Sequence, residues 1–264
     1  MKSKITLFSL IINVLVAFFI FYSSDAFCSM NDFVYVVALE KPSVGKPSIM
    51  WHPTLYKIDI EKGVIVKHIK LADQGAPILC EPVGDNGIHV TIEEGIAANG
   101  TSVGRRVTRE IIVDKSTMAI IDSKTIQGID ESKVPIEELM KKTKRMDIPN
   151  LPKGEQFLVA SSVRRRVFVL TDYKNKQNLS VKVLDSNSFQ AIDLIPLGVG
   201  DRNLGKFFGY VNTKLVGDRF LICLFDGAAY FGHFAPGYVM IVHTVDKSVK
   251  YVAIGSDPAL GICY

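Results

Sequence analysis

The sequence predicts an all-β fold, a β-propeller of about four blades with one short helical insertion. Three observations predict it. Strand-like runs bounded by Gly, Pro, Asn and Asp fill most of the chain after its N-terminal stretch. A hairpin made of an apolar residue, an Asp, a short polar corner and a second strand recurs at intervals. Between successive hairpins there is room for two further strands, giving four per unit. A lone four-stranded sheet leaves its faces wet, whereas sheets set around a common centre cover one another. A face-to-face sandwich would explain the alternation but not the return of one hairpin at a near-constant interval.

The N-terminus reads MKSKITLFSLIINVLVAFFIFYSSDAFCSM. Lys2 and Lys4 precede an apolar run from Ile5 to Tyr22, and Ser24-Asp25-Ala26 supplies small residues at the two positions a signal peptidase inspects. Residues 1–26 are therefore expected to be a secretory signal peptide, set apart from the fold. The run is long enough that an uncleaved anchor of the same topology is the second reading. A lipid-modified Cys28 is a third, although the preceding Asp-Ala-Phe suits it poorly. The propeller domain is expected over residues 32–264.

Thirteen strand-like stretches follow, from FVYVVALE at Phe33 to SVKYVAIG at Ser248. ESKVPIEELMKKTKRM, Glu131 to Met146, alone carries helical spacing, with Val134, Ile136, Leu139 and Met140 set in a charged surround. The four hairpins are IDIEKGVIVKHI, VDKSTMAIIDSKTI, LDSNSFQAIDLIPLG and VDKSVKYVAIG, marked by Asp59, Asp114, Asp185 and Asp246. Asp suits such corners because its short carboxylate accepts hydrogen bonds from N–H groups just ahead. The markers stand 55, 71 and 61 residues apart, and the helical insertion accounts for the longest interval. PILCEPV, QFLVASS and GYVNTKL are the expected innermost strands. The first unit lacks one, and PALGICY at Pro258 to Tyr264 is an inner strand without a blade. The two ends either combine into a closed four-bladed ring or mark a partial copy of a larger propeller.

The DSNSF corner, the IPLG and VAIG endings and the following SDPALGI resemble the YVTN and quinoprotein-amine-dehydrogenase-like β-propellers over most of the chain after Asp32. The resemblance implies architecture and no particular activity. Quinone-dependent propeller enzymes carry tryptophan-rich blade repeats, and this chain has one tryptophan, Trp51. Amine dehydrogenases hold their redox cofactor on a separate chain.

Net charge is +4 without a long basic run, so nucleic acid is not an expected partner. The five histidines show no close metal-ligand spacing, and neither a metal nor any cofactor is expected. His89 with Glu93 and Glu94 is the nearest approach to a catalytic cluster, lacking a third partner. The innermost strands offer Cys80, Glu81, Ser161 and Asn212 but no His, which favours binding over catalysis. Cys80, Cys223 and Cys263 lack C-x-x-C spacing and read as buried small apolar residues, with no pair identified.

Two aromatic stretches are expected to form a binding surface. PSIMWHPTLY places Trp51, His52 and Tyr56 in a long proline-rich loop, and FDGAAYFGHFAPGY places Tyr230, Phe231, His233, Phe234 and Tyr238 in another. Large aromatic side chains supply contact area at low entropic cost, though the same residues also serve as caps over blade ends. The expected function is an exported, non-catalytic scaffold, periplasmic or extracellular, for another protein or a small ligand. Membrane contact is expected only through an uncleaved N-terminal segment. Two other readings stand beside it: a propeller subunit of a periplasmic oxidoreductase, and a truncated fragment.

Overall fold

The computed structural model describes residues 33–40, 51–95, 106–127, 151–152, 154–171, 179–198, 209–226, 229–230, 233–234, 236–255 and 261–264. The chain divides into Met1–Asn31 and Asp32–Tyr264, and every described residue belongs to the second unit. The expected signal peptide and the expected helix at residues 131–146 lie outside the described residues.

The described residues are all-β and antiparallel. Sheet A contains β1 (Phe33–Glu40), β2 (His52–Asp59) and β3 (Val64–Lys70) in that order. Sheet B is β4 (Ala76–Val83), β5 (Gly87–Gly95), β6 (Arg106–Asp114) and β7 (Ile120–Gln127). Sheet C is β8 (Gln156–Ser161), β9 (Arg166–Thr171), β10 (Ser180–Asp185) and β11 (Ala191–Pro196). Sheet D is β12 (Gly209–Val216), β13 (Phe220–Asp226), β16 (Gly237–His243) and β17 (Val249–Ile254). Between β13 and β16 lies a two-stranded ribbon, β14 (Ala229–Tyr230) and β15 (His233–Phe234).

The free edge of sheet A is met by a segment from the far end of the chain, through one isolated bridge. Tyr35 donates its N–H to the Cys263 carbonyl at 2.9 Å, and Cys263 returns the bond at 3.0 Å. The C-terminal segment therefore sits beside β1, in the place that β4, β8 and β12 occupy in their own sheets.

Burial explains the two kinds of strand pattern. In β1, Val34, Val36 and Ala38 on one face and Val37 on the other are fully buried, and in β13 every residue from Phe220 to Phe225 is buried. A strand covered on both faces must be apolar throughout, which the runs VYVVA and FLICLF are. In β5 only Ile88, Val90 and Ile92 are fully buried, while His89, Thr91 and Glu93 on the other face are half-buried, so that strand alternates. β3 and β11 are largely exposed. Tyr35, Val37 and Leu55 of sheet A share a core with Ile88, Val90, Ile111 and Val113 of sheet B. Phe168, Leu170 and Val181 of sheet C share another with Leu221, Cys223 and Phe225 of sheet D.

The corners follow one template, with one substitution the sequence did not reveal. Asp59, Asp114 and Asp185 each end the strand before the sheet's outer edge. Each accepts the backbone N–H three residues ahead on its carboxylate, from Lys62 at 2.8 Å, Thr117 at 2.7 Å and Ser188 at 2.8 Å. Each carbonyl takes the N–H four ahead, from Gly63, Met118 and Phe189, residues with φ of 67°, 57° and 54°. In sheet D the residue with these roles is His243, not the expected Asp246. His243 Nδ1 lies 3.1 Å from the Asp246 N–H, and its carbonyl accepts the N–H of Lys247, whose φ is 63°. The last interval becomes 58 residues, closer to the first interval of 55.

The Asp114 carboxyl is held down to about 2 by the Ser116 hydroxyl first, then by the Thr117 N–H and hydroxyl. A depressed carboxylate stabilises the fold above its ordinary value of 3.8, and that contribution is lost as pH falls from there to about 2. Carbon-13 NMR titration of the Asp carboxyls should place the Asp114 midpoint near that lower value, moving up in Ser116→Ala/Thr117→Ala. An unperturbed midpoint in the native protein would refute the bonding described.

Candidate functional site

In an antiparallel meander, successive connections fall at alternate ends of the sheet. At one end of each sheet lie the short turns: 60–63 in sheet A, 84–86 and 115–119 in B, 162–165 and 186–190 in C, and 217–219 and 244–248 in D. At the other end the strands lead into the long connections 41–51, 96–105, 172–179 and 227–236.

Contacts between sheets put the short-turn ends together. The Tyr35 hydroxyl and Lys57 Nζ of sheet A both donate to the Lys115 carbonyl in the corner of sheet B, at 3.1 and 3.3 Å, and Lys67 Nζ donates to the Thr117 carbonyl at 2.7 Å. Lys250 of sheet D donates to the Glu61 carbonyl in the corner of sheet A. Between C and D, the Ser161 hydroxyl donates to Asp218 at 2.8 Å, and Lys247 Nζ donates to Asp193 at 2.8 Å. The strand ends that lead into the four long connections therefore share the opposite end.

At that opposite end, the roots of the two aromatic connections meet. Gly237, which opens β16 just after residues 227–236, donates its N–H to the Gly255 carbonyl at 3.0 Å. Gly255 in turn donates to the Tyr56 hydroxyl at 3.2 Å. A Cβ on Gly255 would lie 2.0 Å from the Leu39 carbonyl oxygen, near the end of β1 and just before residues 41–51. One glycine thus joins the exit of β1, the entry of β16 and the side chain of β2. Only a residue without a side chain allows the two backbones that close.

The aromatic residues divide accordingly. His52 and Tyr56 are not in a loop, as expected, but in strand β2, because Pro53 is tolerated next to the strand's start, where one missing N–H costs little. Tyr56 is buried, and burial pushes its phenol well above the ordinary value. Trp51 is half-buried immediately before β2. His52 is half-buried opposite Glu40 on β1, its Nε2 4.0 Å from the carboxylate. Burial first, then the Lys70 charge, lower its pKa against the opposing pull of Glu40 and Asp73. Tyr230, His233 and Phe234 fall in the β14–β15 ribbon, which sequence reasoning read as loop, with Tyr230 opposite His233 and Ala229 opposite Phe234. Tyr238 lies on β16, half-buried. Phe231 lies outside the described residues.

The His89 cluster takes a different form. His89 Nδ1 lies 3.2 Å from Glu81, its cross-strand partner on β4. Glu93 is four residues along β5, about 13 Å away at strand spacing. Glu94 faces the other side and pairs with Arg109 at 3.0 Å. Among the described residues, no group of three or more His, Cys, Asp or Glu side chains is placed to hold a metal ion. Among them, too, no helix is long and apolar enough to cross a membrane.

One feature of sheets A and B had no signal in the sequence. Cys80 on β4 and Cys263 in the C-terminal segment, 183 residues apart, are both buried with their sulfurs 3.0 Å from each other. No protein-family model matches the chain, and no curated protein matches it.

Proposed function

We propose that residues 32–264 form an exported, non-catalytic four-bladed β-propeller whose long connections make a binding face for another protein or a small ligand. Sheets A to D are its blades, and the C-terminal segment beside β1 closes the ring. The contacts of A with B, of A with D and of C with D support this order of blades, as does the resemblance to YVTN-like propellers in the architecture alone. The observation that carries the binding reading is the meeting of the Trp51 and Tyr230–Phe234 connections at Gly255. It brings together the end of β1 and the start of β16, the strand ends that lead to and from the two aromatic-bearing segments. Aromatic anchors clustered near the middle of an interface dominate binding energy.

Site-specific photo-crosslinkers test this in the exporting host. Probes at Trp51 and Phe231 should trap a common partner, and a probe at Asn187, in the short corner of sheet C, should not. Replacing residues 227–236 with a Gly-Ser linker should lower the yield at Trp51 at least about tenfold, the loss of one anchor cluster. Equal labelling from both ends of the molecule would sink the proposal. For a small ligand, the single tryptophan gives a direct readout, since Trp51 fluorescence should respond to binding.

A further inference from the structure

We propose that Cys80 and Cys263 are a disulfide-forming pair that locks the C-terminal segment in place as the inner strand of sheet A. The chemistry of the pair carries this, independently of any binding face. The two sulfurs are 3.0 Å apart and both side chains are buried, so neither has another described cysteine within reach. Cys223 is buried on β13 in the core shared by sheets C and D. The backbones are also brought together. A Cβ on Gly261 would lie 2.0 Å from the Cys80 carbonyl oxygen, and Gly261 has φ of 130°. The chain thus uses a glycine in a conformation that side chains rarely adopt to lay residues 261–264 against β4.

The lock answers a weakness of the fold. In sheet A the other neighbours are joined by full ladders, whereas among the described residues the C-terminal segment is held to β1 by one reciprocal pair of backbone bonds. Such a short pairing opens locally at low cost. Opening exposes both thiols, and frees the Cys80 thiol from the Cys263 hydrogen bond and the burial that hold its pKa well above the ordinary value. The oxidant is a disulfide, carried by a thiol–disulfide exchange protein or by oxidised glutathione. The Cys263 thiolate attacks one sulfur of that disulfide and expels the other as a thiolate, giving a mixed disulfide. The Cys80 thiolate then attacks Cys263 Sγ and expels the second carrier thiolate. One S–S bond forms as one breaks, two electrons pass to the carrier, and the two protons lost by the cysteines are taken up by the carrier thiolates. Redocking of the segment buries the new bond.

The test uses the full chain, equilibrated with oxidised glutathione or with reductant, then denatured, alkylated and digested with trypsin. The oxidised sample should contain peptide 71–105 joined to peptide 251–264, with Cys80 and Cys263 protected from alkylation. Its thermal midpoint should exceed that of the reduced sample by about 5–15 °C, as a long closed loop implies. The difference should vanish in Cys263→Ser. Alkylation of both cysteines in the oxidised sample, linkage to Cys28 or Cys223 instead, or an unmoved thermal midpoint would each overturn the proposal. The wild-type comparison stands even where the variant fails to fold.

Discussion

Gly261→Ala should release the C-terminal segment from sheet A and cost at least about 3 kcal/mol. Two penalties combine at this position. The backbone φ of 130° is one that side chains rarely adopt, and the new Cβ would sit 2.0 Å from the Cys80 carbonyl oxygen. That oxygen belongs to the backbone of β4, which is paired with β5 along its length and cannot retreat alone. The segment must move instead. The Tyr35 N–H would lose the Cys263 carbonyl, and the Tyr264 carbonyl would leave Lys115 Nζ, 3.2 Å away. Two readouts separate this from general destabilisation. In the reduced protein without denaturant, Cys80 should react with a thiol reagent much faster in Gly261→Ala than in the wild type, where reaction waits on local opening of the segment, and the Tyr35 amide should lose its exchange protection. Gly84→Ala is the control. Gly84 has φ of 57° with nothing within 4 Å of a built Cβ, so only the left-handed backbone is strained, at about 1 kcal/mol. Equal losses in the two variants would show that the approach to Cys80 is not the reason for the glycine.

Most of the strands were legible because two-sided burial writes itself into sequence as unbroken apolar runs, and one-sided burial as alternation. The corners were legible through Asp59, Asp114 and Asp185, whose carboxylates cap the turn. The fourth was out of phase. Asp246 stands three residues inside its corner, and His243, which reads in sequence as an ordinary strand histidine, uses a ring nitrogen where the others use a carboxylate oxygen. Only the hydrogen-bond pattern distinguishes them. Tyr56 was misplaced because two prolines and a tryptophan nearby imitate a loop, although strand β2 has already begun at His52. The pairing of Cys80 with Cys263 had no local signal at all. It depends on which sheet the last strand joins, and the sequence left both answers to that open.

Gly255→Ala should cost about 3–5 kcal/mol and part sheets A and D at the end that carries the long connections. Its Cβ would stand 2.0 Å from the Leu39 carbonyl oxygen and 2.5 Å from the Leu39 carbonyl carbon. Neither atom is the far end of a flexible side chain. β1 is paired with β2 over its whole length and carries the fully buried Val36 on one face and Val37 on the other, so moving it disturbs packing on both faces. Tyr56→Phe separates this steric effect from the hydrogen bond at the same place. It leaves the Gly255 N–H without its phenol acceptor but adds no atoms, and the expected loss is about 1–3 kcal/mol. Urea melts of both variants rank the two causes, and the Gly255→Ala loss should be the larger. That variant should also weaken crosslinking from Trp51 and Phe231 together, because Gly255 holds the roots of both segments. A Gly255→Ala protein within about 1 kcal/mol of wild type would mean that a methyl group fits between the two sheets. In that case the contact between A and D would be too loose to order the proposed blades, and the proposed binding face would lose its foundation.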